Sequence, residues 1–397
     1  MGLYIHIPYC KSKCIYCDFY STPQVETMKQ YVHALLHEAK LRQEEICSLF
    51  VETRPALSAE PRESLTTQRI IPHFTTLYLG GGTPSVMPIN LLTTLITGLN
   101  DIFDLSHVEE FTIEVNPDDV NREYVEELRQ LGVNRVSMGV QSFNDSELRA
   151  INRRHTARQA IDAVQAIKDA GINNVSIDLI YGLPDQSLDS WRHNVEQAID
   201  LNVQHISAYC LSYEKGTRLW VMREHGKVNE VSDDDCIAMH NMLVEMLKDA
   251  DFEHYEISNF ARPGFRSRHN SSYWNFAPYL GLGAAAHSFD GTTRRYNPSS
   301  IKEYIAKLSN GTPAFIEENL EWWERYDEEV MLRLRTSDGL DTNLISKHYG
   351  DSAYNHLLKQ AQPFIEQGLL KIHKNTITIT PQGVMMSDNI IRNLMWG

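Results

Sequence analysis

Three cysteines fall within eight residues near the start of the chain, in the stretch YCKSKCIYCDFYS: Cys10, Cys14 and Cys17. Their C-x3-C-x2-C spacing differs from the paired C-x2-C arrangement of most structural zinc sites, which need four ligands. The remaining cysteines, Cys47, Cys210 and Cys236, are remote in sequence. Three thiolates can hold three irons of a [4Fe–4S] cube and leave the fourth iron open to another ligand. The competing reading is a zinc knuckle completed by His6 or by a remote ligand. The opening MGLYIHIP lacks a basic stretch followed by an apolar core, so no signal peptide is read. A cytoplasmic location is the expectation. Thiols stay reduced there, and a tight cysteine group means metal or catalysis rather than disulfides.

Further along, polar and glycine-rich groups recur at the ends of β-branched runs. LYLGGGTPS presents Gly81, Gly82 and Thr83; TIEVNP presents Glu114; MGVQSF presents Gln141; INRRH presents Arg153; SIDLIYGLP presents Asp178. Glycines let backbone N–H groups approach a ligand closely. A glutamate can pair with an ammonium, an aspartate with a ribose diol, an arginine with a carboxylate. Taken singly, each is an ordinary loop-edge residue, and the glycine run could be a packing turn. Together they converge on one face.

That face follows from the elements that must carry them. Candidate strands at 3–7, 75–79, 110–115, 135–140, 174–180 and 205–211 alternate with amphipathic stretches such as 121–131 and 157–170, stopped by Gly132 and Gly171. Six β-then-α units predict a parallel sheet wound in one hand, open or curled toward a barrel, with ligands at the carboxyl ends of the strands. Residues 47–71, charged and Pro-containing, read as a surface insertion. The boundaries expected are 1–230 for this α/β unit, 231–324 for a connecting region and 325–397 for a C-terminal module.

The tail shows helical patterns at 327–334, 342–349 and 354–367, then two short strands around Lys374-Asn375. Three helices and a hairpin suggest a winged-helix-like α+β module. Such modules usually bind DNA, yet residues 325–397 hold eight Lys/Arg against eight Asp/Glu. A DNA reader should be basic, so packing or partner docking is the better reading. The net charge of −15 likewise opposes nucleic acid or anionic lipid as main partner. No run approaches the roughly 18–20 apolar residues of a membrane helix.

LYIHIPYCKSKCIYCDF, GGGTPS, EVNP, MGVQSF and IDLIYGLP resemble the motifs of the oxygen-independent coproporphyrinogen III oxidase family of radical S-adenosylmethionine proteins. The resemblance covers the α/β unit and reaches into the tail. It implies a partial six-stranded (β/α)6 TIM-like barrel, and a [4Fe–4S] cluster on Cys10, Cys14 and Cys17 whose open iron S-adenosylmethionine chelates. It further implies cofactor contacts at Tyr4, Tyr16, Gly81, Gly82, Thr83, Glu114, Gln141, Arg153 and Asp178, with the glycine run at the methionine end.

Two departures matter. The oxidases carry a further cysteine where Phe19 stands, and a long N-terminal arm for which Cys10 leaves no room. Both departures resemble the heme chaperone branch of the family, HemW, which also carries H-N-x-x-Y-W. Here that motif is RHNSSYW, with His269, Tyr273 and Trp274. Imidazole is a good axial ligand for heme iron, and the two rings offer flat surfaces for a macrocycle. Arg266 and Arg268 could meet propionates. A hydrogen-bonded core histidine is the plainer alternative, and His287 in GLGAAAHSF is a second candidate ligand. The branch implies a chain that binds heme and transfers it to acceptor hemoproteins, respiratory enzymes among them. A homodimer is one candidate assembly. The runner-up functions are radical oxidative decarboxylation of coproporphyrinogen III and another radical enzyme.

Overall fold

The computed structural model describes residues 1–51 and 73–397. The six expected strands are present with ends shifted by a residue or two: β1 (Gly2–Ile7), β2 (Thr76–Gly81), β3 (Glu110–Val115), β4 (Arg135–Gln141), β5 (Asn174–Tyr181) and β6 (His205–Cys210). Each pairs in parallel with the next in chain order. The period of two divides their side chains. Leu3, Ile5, Ile7, Leu77, Leu79, Ile113 and Val115 join the main apolar core, which they share with the helical layer. Tyr4, Tyr78, Glu114, Ser137, Asp178 and Ser207 alternate with them on the opposite face, and the register sets Tyr4 beside Tyr78, Glu114 beside Ser137 and Asp178 beside Ser207.

The crossovers are α1 (Met28–Val51), α2 (Ile89–Phe103), α3 (Arg122–Gln130), the short α4 (Asp145–Ala150) with α5 (Ala157–Asp169), and α6 (Leu188–Asp200). Local chemistry sets their starts. Asn121 and Ser187 accept first-turn N–H groups of α3 and α6, and Thr156 with Gln159 forms a capping box on α5. The first five residues of the expected 47–71 insertion continue α1. The rest of it lies outside the described residues.

The sheet is larger than the expected six strands. After α7 (Arg218–Glu224) and α8 (Asp233–Asp249), β7 (Glu253–Glu256) and β8 (Asn259–Ala261) add to the β6 edge. Following α9 (Arg268–Trp274), β9 (Tyr279–Leu282) lies parallel to β1, and β10 (His287–Phe289), β11 (Thr293–Tyr296) and, after α10 (Ile301–Ser309), β12 (Ile316–Asn319) continue antiparallel in chain order. The result is one twelve-stranded mixed sheet. The added strands are three or four residues long, too short to show an alternation in the sequence.

The tail has its own apolar core, from Tyr326 to Leu394. It comprises α11 (Trp322–Leu334), β13 (Leu340–Asp341), α12 (Thr342–Glu366), the hairpin β14 (Leu370–His373) and β15 (Thr376–Ile379), and α13 (Ser387–Leu394). Gly350, at φ 83° and ψ 177°, breaks α12 where the sequence separates two helical patterns. Backbone bonds from Ser337 N–H to Tyr255 O (2.9 Å) and from Ile257 N–H to Arg335 O (3.2 Å) tie the tail to the β7 edge. Among the described residues no helix is long and apolar enough to cross a membrane.

Candidate functional site

The carboxyl ends of β1–β6 surround a cavity of about 600 Å³. Cys10, Cys14, Cys17, Tyr16, Gly81, Gly82, Thr83, Glu114, Gln141, Arg153 and Asp178 all line it. The cysteine loop leaves β1 and folds back on itself, with Cys10 N–H donating to Thr22 O (3.0 Å) and Thr22 N–H to Pro8 O (2.8 Å). Lys11 pairs with Asp119, which anchors the loop to the segment after β3.

The glycine run explains how this loop is seated. A Cβ on Gly82 would lie 2.7 Å from Tyr9 O and 2.9 Å from Ile7 O. Gly82 N–H donates to Ile7 O (2.9 Å), Thr83 N–H to Tyr9 O (2.7 Å) and Gly81 N–H to Glu114 Oε2 (3.0 Å). The run does line the cavity, but the donors expected to meet a ligand are engaged within the protein. Absence of side chains here serves close approach of two backbones.

Arg153 donates to Cys14 Sγ at 3.2 Å, and Cys10 Sγ lies 3.3 Å from Thr83 Oγ1. Burial pushes the Cys17 thiol above its ordinary pKa. Among the described residues no three His, Cys, Asp or Glu side chains converge tightly enough to hold a single ion. Three thiols line one cavity, a donor set that suits an iron–sulfur cluster.

Two carboxylates line the same cavity. Glu114 accepts from Tyr78 OH (2.9 Å) and Gly81 N–H, and withdrawal from water, with Asp178 nearby, pushes it up to about 7. The same withdrawal pushes Asp178 up to about 6, against the opposing pull of Ser207 and Arg135. Gln141 reaches the cavity from a β-bulge in β4, at φ 68°, a conformation a non-glycine residue holds only when its surroundings impose it. Gly139 makes that possible, since a Cβ there would lie 2.7 Å from Gln141 Nε2. Arg153 is fixed by Gly139 O (2.6 Å) and Asn116 Oδ1, while its buried Nε has no hydrogen-bond partner among the described residues.

Tyr4 is not brought to this cavity. Its hydroxyl bonds His6 Nδ1 (3.0 Å), its ring touches Tyr78, and it lines a second cavity of about 480 Å³ between the β9–β11 edge and α11. Phe19 lines both cavities.

The RHNSSYW segment forms α9, packed at the amino ends of β2 and β3, opposite the cysteine loop. His269 is 1% exposed, and both ring nitrogens are engaged, Nδ1 with Thr76 Oγ1 (2.8 Å) and Nε2 with Tyr273 OH (2.8 Å). Its N–H donates to Glu110 Oε1 (2.9 Å), its ring stacks on Tyr78, and burial lowers its pKa to about 3. The expected axial ligand is thus placed as a hydrogen-bonded core histidine. Tyr273 lines the second cavity; Trp274, partly buried, lines neither. Arg266 pairs with Glu253 and Asp338 (both 3.1 Å) and Arg268 with Glu109, so neither expected propionate partner faces a cavity.

A model of the Radical SAM superfamily matches residues 4–198, and one of the HemN C-terminal domain matches residues 320–386. The heme chaperone HemW of Lactococcus lactis is 32% identical over 393 residues, covering 99% of this chain and 96% of that protein. The chain belongs to the HemW family. The HemW of Bacillus subtilis is 30% identical over 390 residues, covering 98% and 97% of the two chains. The structure of the coproporphyrinogen III oxidase HemN from Escherichia coli, a radical SAM enzyme, superposes with a TM-score of 0.80 at 23% identity, over 100% of this chain and 90% of that one. The likeness establishes the α/β radical SAM fold, and chemistry has to be argued from the site.

Some residues of this HemW-family site went unmarked in the sequence. Asn116, inside EVNP, orients Arg153 and lines the cavity. Tyr209, at the end of β6, lines it too. Both follow the strand-end rule that located Glu114 and Asp178, so position, rather than residue type, was the usable signal.

Proposed function

We propose that the chain is a cytoplasmic heme chaperone: it carries one [4Fe–4S] cluster, binds S-adenosylmethionine beside it, and hands heme to acceptor hemoproteins such as respiratory enzymes. The near full-length identity to curated heme chaperones carries this reading. The loop supports it, keeping three thiols and placing Phe19 where the oxidases carry a further cysteine.

Cys10, Cys14 and Cys17 hold the cluster as thiolates. When bound, the cluster can deliver one electron to the sulfonium of S-adenosylmethionine. Arg153 favours the thiolate at Cys14 through its charged N–H donor. Glu114 meets the cofactor's ammonium and Asp178 its ribose, while Nε of Arg153, without a partner among the described residues, suits the carboxylate. Gln141 and Tyr16 complete the wall. Tyr4 acts at one remove, by packing on Tyr78, which holds Glu114.

The six parallel strands form the partial barrel of this reading. The tail, with broken α12 and hairpin β14–β15, is its winged-helix-like module, docking a partner instead of nucleic acid. The borders lie near residues 230 and 324. A homodimer is the assembly to look for by light scattering.

The test is anaerobic reconstitution followed by electron paramagnetic resonance with and without S-adenosylmethionine, then mixing of the heme-loaded protein with an apo-hemoprotein. The reading expects a cluster spectrum that changes on cofactor addition and heme that appears on the acceptor. An unchanged spectrum would remove the cofactor from the scheme, and heme retained by the donor would remove the chaperone role.

A further inference from the structure

The second cavity holds a histidine that differs from the others around it. His6 has Nδ1 on Tyr4 OH (3.0 Å) and Nε2 near Tyr20 O (3.5 Å), and His269 behind Tyr273 is engaged at both nitrogens. His287, by contrast, is exposed at the cavity wall and makes no side-chain hydrogen bond among the described residues. Its ring is held by stacking on Tyr296, centroids 5.6 Å apart at 26°. Its backbone is pinned: a Cβ on Gly281 would lie 1.9 Å from His287 O, and Ser288 Oγ bridges Gly281 N–H (3.0 Å) and Gly281 O (3.2 Å). An imidazole that makes no side-chain hydrogen bond among the described residues therefore stands at the cavity wall.

The walls suit a flat aromatic body. Phe19 and Tyr20 come from the cysteine loop, Tyr273 and Phe276 from α9 and its end, and Met331 and Leu332 from α11. Rings and a thioether give large contact with a macrocycle without fixed hydrogen bonds. Arg294 supplies a cation at the same wall, now paired with Glu328 (2.5 Å) and near Glu318 (4.0 Å). At about 480 Å³ the cavity is within the range of small-molecule sites.

We infer that this cavity is the heme site and that His287 is the axial ligand to the iron. The inference rests on the heme-chaperone reading and names the residues that would carry it. His269 becomes a positioning residue, holding the Tyr273 hydroxyl at the wall. The ligation is a dative nitrogen–iron bond, with no change of oxidation state.

The test titrates hemin into the full-length reconstituted protein, into His287→Ala and into His287→Gln, with thermal melts alongside. Wild type should bind near one equivalent with a shifted Soret band. Both variants should melt like wild type, lose the shift, and bind roughly tenfold or more weakly. Free imidazole should restore the shift in His287→Ala, an effect that a merely structural residue would not give. Wild-type spectrum and affinity in both variants would overturn the ligand assignment while leaving the chaperone reading intact. Absence of hemin binding by wild type would overturn the reading and the inference together.

Discussion

The cavity at the carboxyl ends of β1–β6 is lined by thiols, carboxylates and a buried guanidinium, whereas the cavity against α11 is lined mainly by rings and aliphatic groups. Phe19 belongs to both. The first is built on one layer of consecutive strand ends, so its charges sit at fixed positions relative to one another. The second is assembled from a loop, an edge hairpin and a helix of the tail, elements that do not follow each other in the chain. A resident cofactor needs preorganised charge; a cargo that must leave is better held by contact area and one coordinate bond. In the proposed reading the two cavities divide these tasks.

The comparison breaks first, and with the largest effect, at the thiols. Cys14→Ala should abolish the visible absorption of a reconstituted cluster and leave hemin titration unchanged. Loss of both together would join the two sites into one.

His269 and His287 separate core from cavity. His269→Ala removes a partner from the hydroxyls of Thr76 and Tyr273 and empties a buried volume, a loss of about 2–4 kcal/mol. Its melting temperature should fall by several degrees, while that of His287→Ala stays at the wild-type value. Equal melting of the two would contradict the assignment of His269 to the core.

A smaller effect is expected from pH. Glu114 is held at about 7 and Asp178 at about 6, both raised, so acid leaves Glu114 neutral and unable to pair with an ammonium, and Asp178 neutral and a weaker acceptor for a ribose diol. Affinity for S-adenosylmethionine should rise several-fold as pH increases from below about 6 to above about 7, and Glu114→Gln should flatten the upper part of the rise. A flat profile in the wild type would take Glu114 out of the ammonium's reach and Asp178 off the ribose.

The least effect is expected at the link between cavity and tail. Arg294→Gln should weaken hemin binding a few-fold, in line with about 1 kcal/mol for a partly buried charge pair. Glu328→Gln, which releases Arg294, should not weaken it. Equal weakening by both would mean that the pair only seats α11.

The sequence made the first cavity legible and the second not, for one physical reason. A parallel sheet in chain order sends every strand end to one face, so motifs at strand ends, Glu114 and Asp178 among them, could be placed together without coordinates. Gly81 to Thr83 line this cavity, but which partner their N–H groups take depends on the Cys10 loop lying across them. His269 misled because residue type and neighbouring rings look the same for a ligand and for a core histidine. Only the bonds to Thr76 and Tyr273 separate them. β9–β12, which carry His287 and Arg294, are too short for periodicity, and nothing local announces that α11 will close the cavity they form.

The most direct test of the account places the reconstituted full-length protein in two parallel assays, hemin titration and anaerobic turnover of coproporphyrinogen III with S-adenosylmethionine. The account predicts one equivalent of hemin with a shifted Soret band and no decarboxylated product. Steady decarboxylation by a protein that leaves the hemin spectrum unshifted would contradict it.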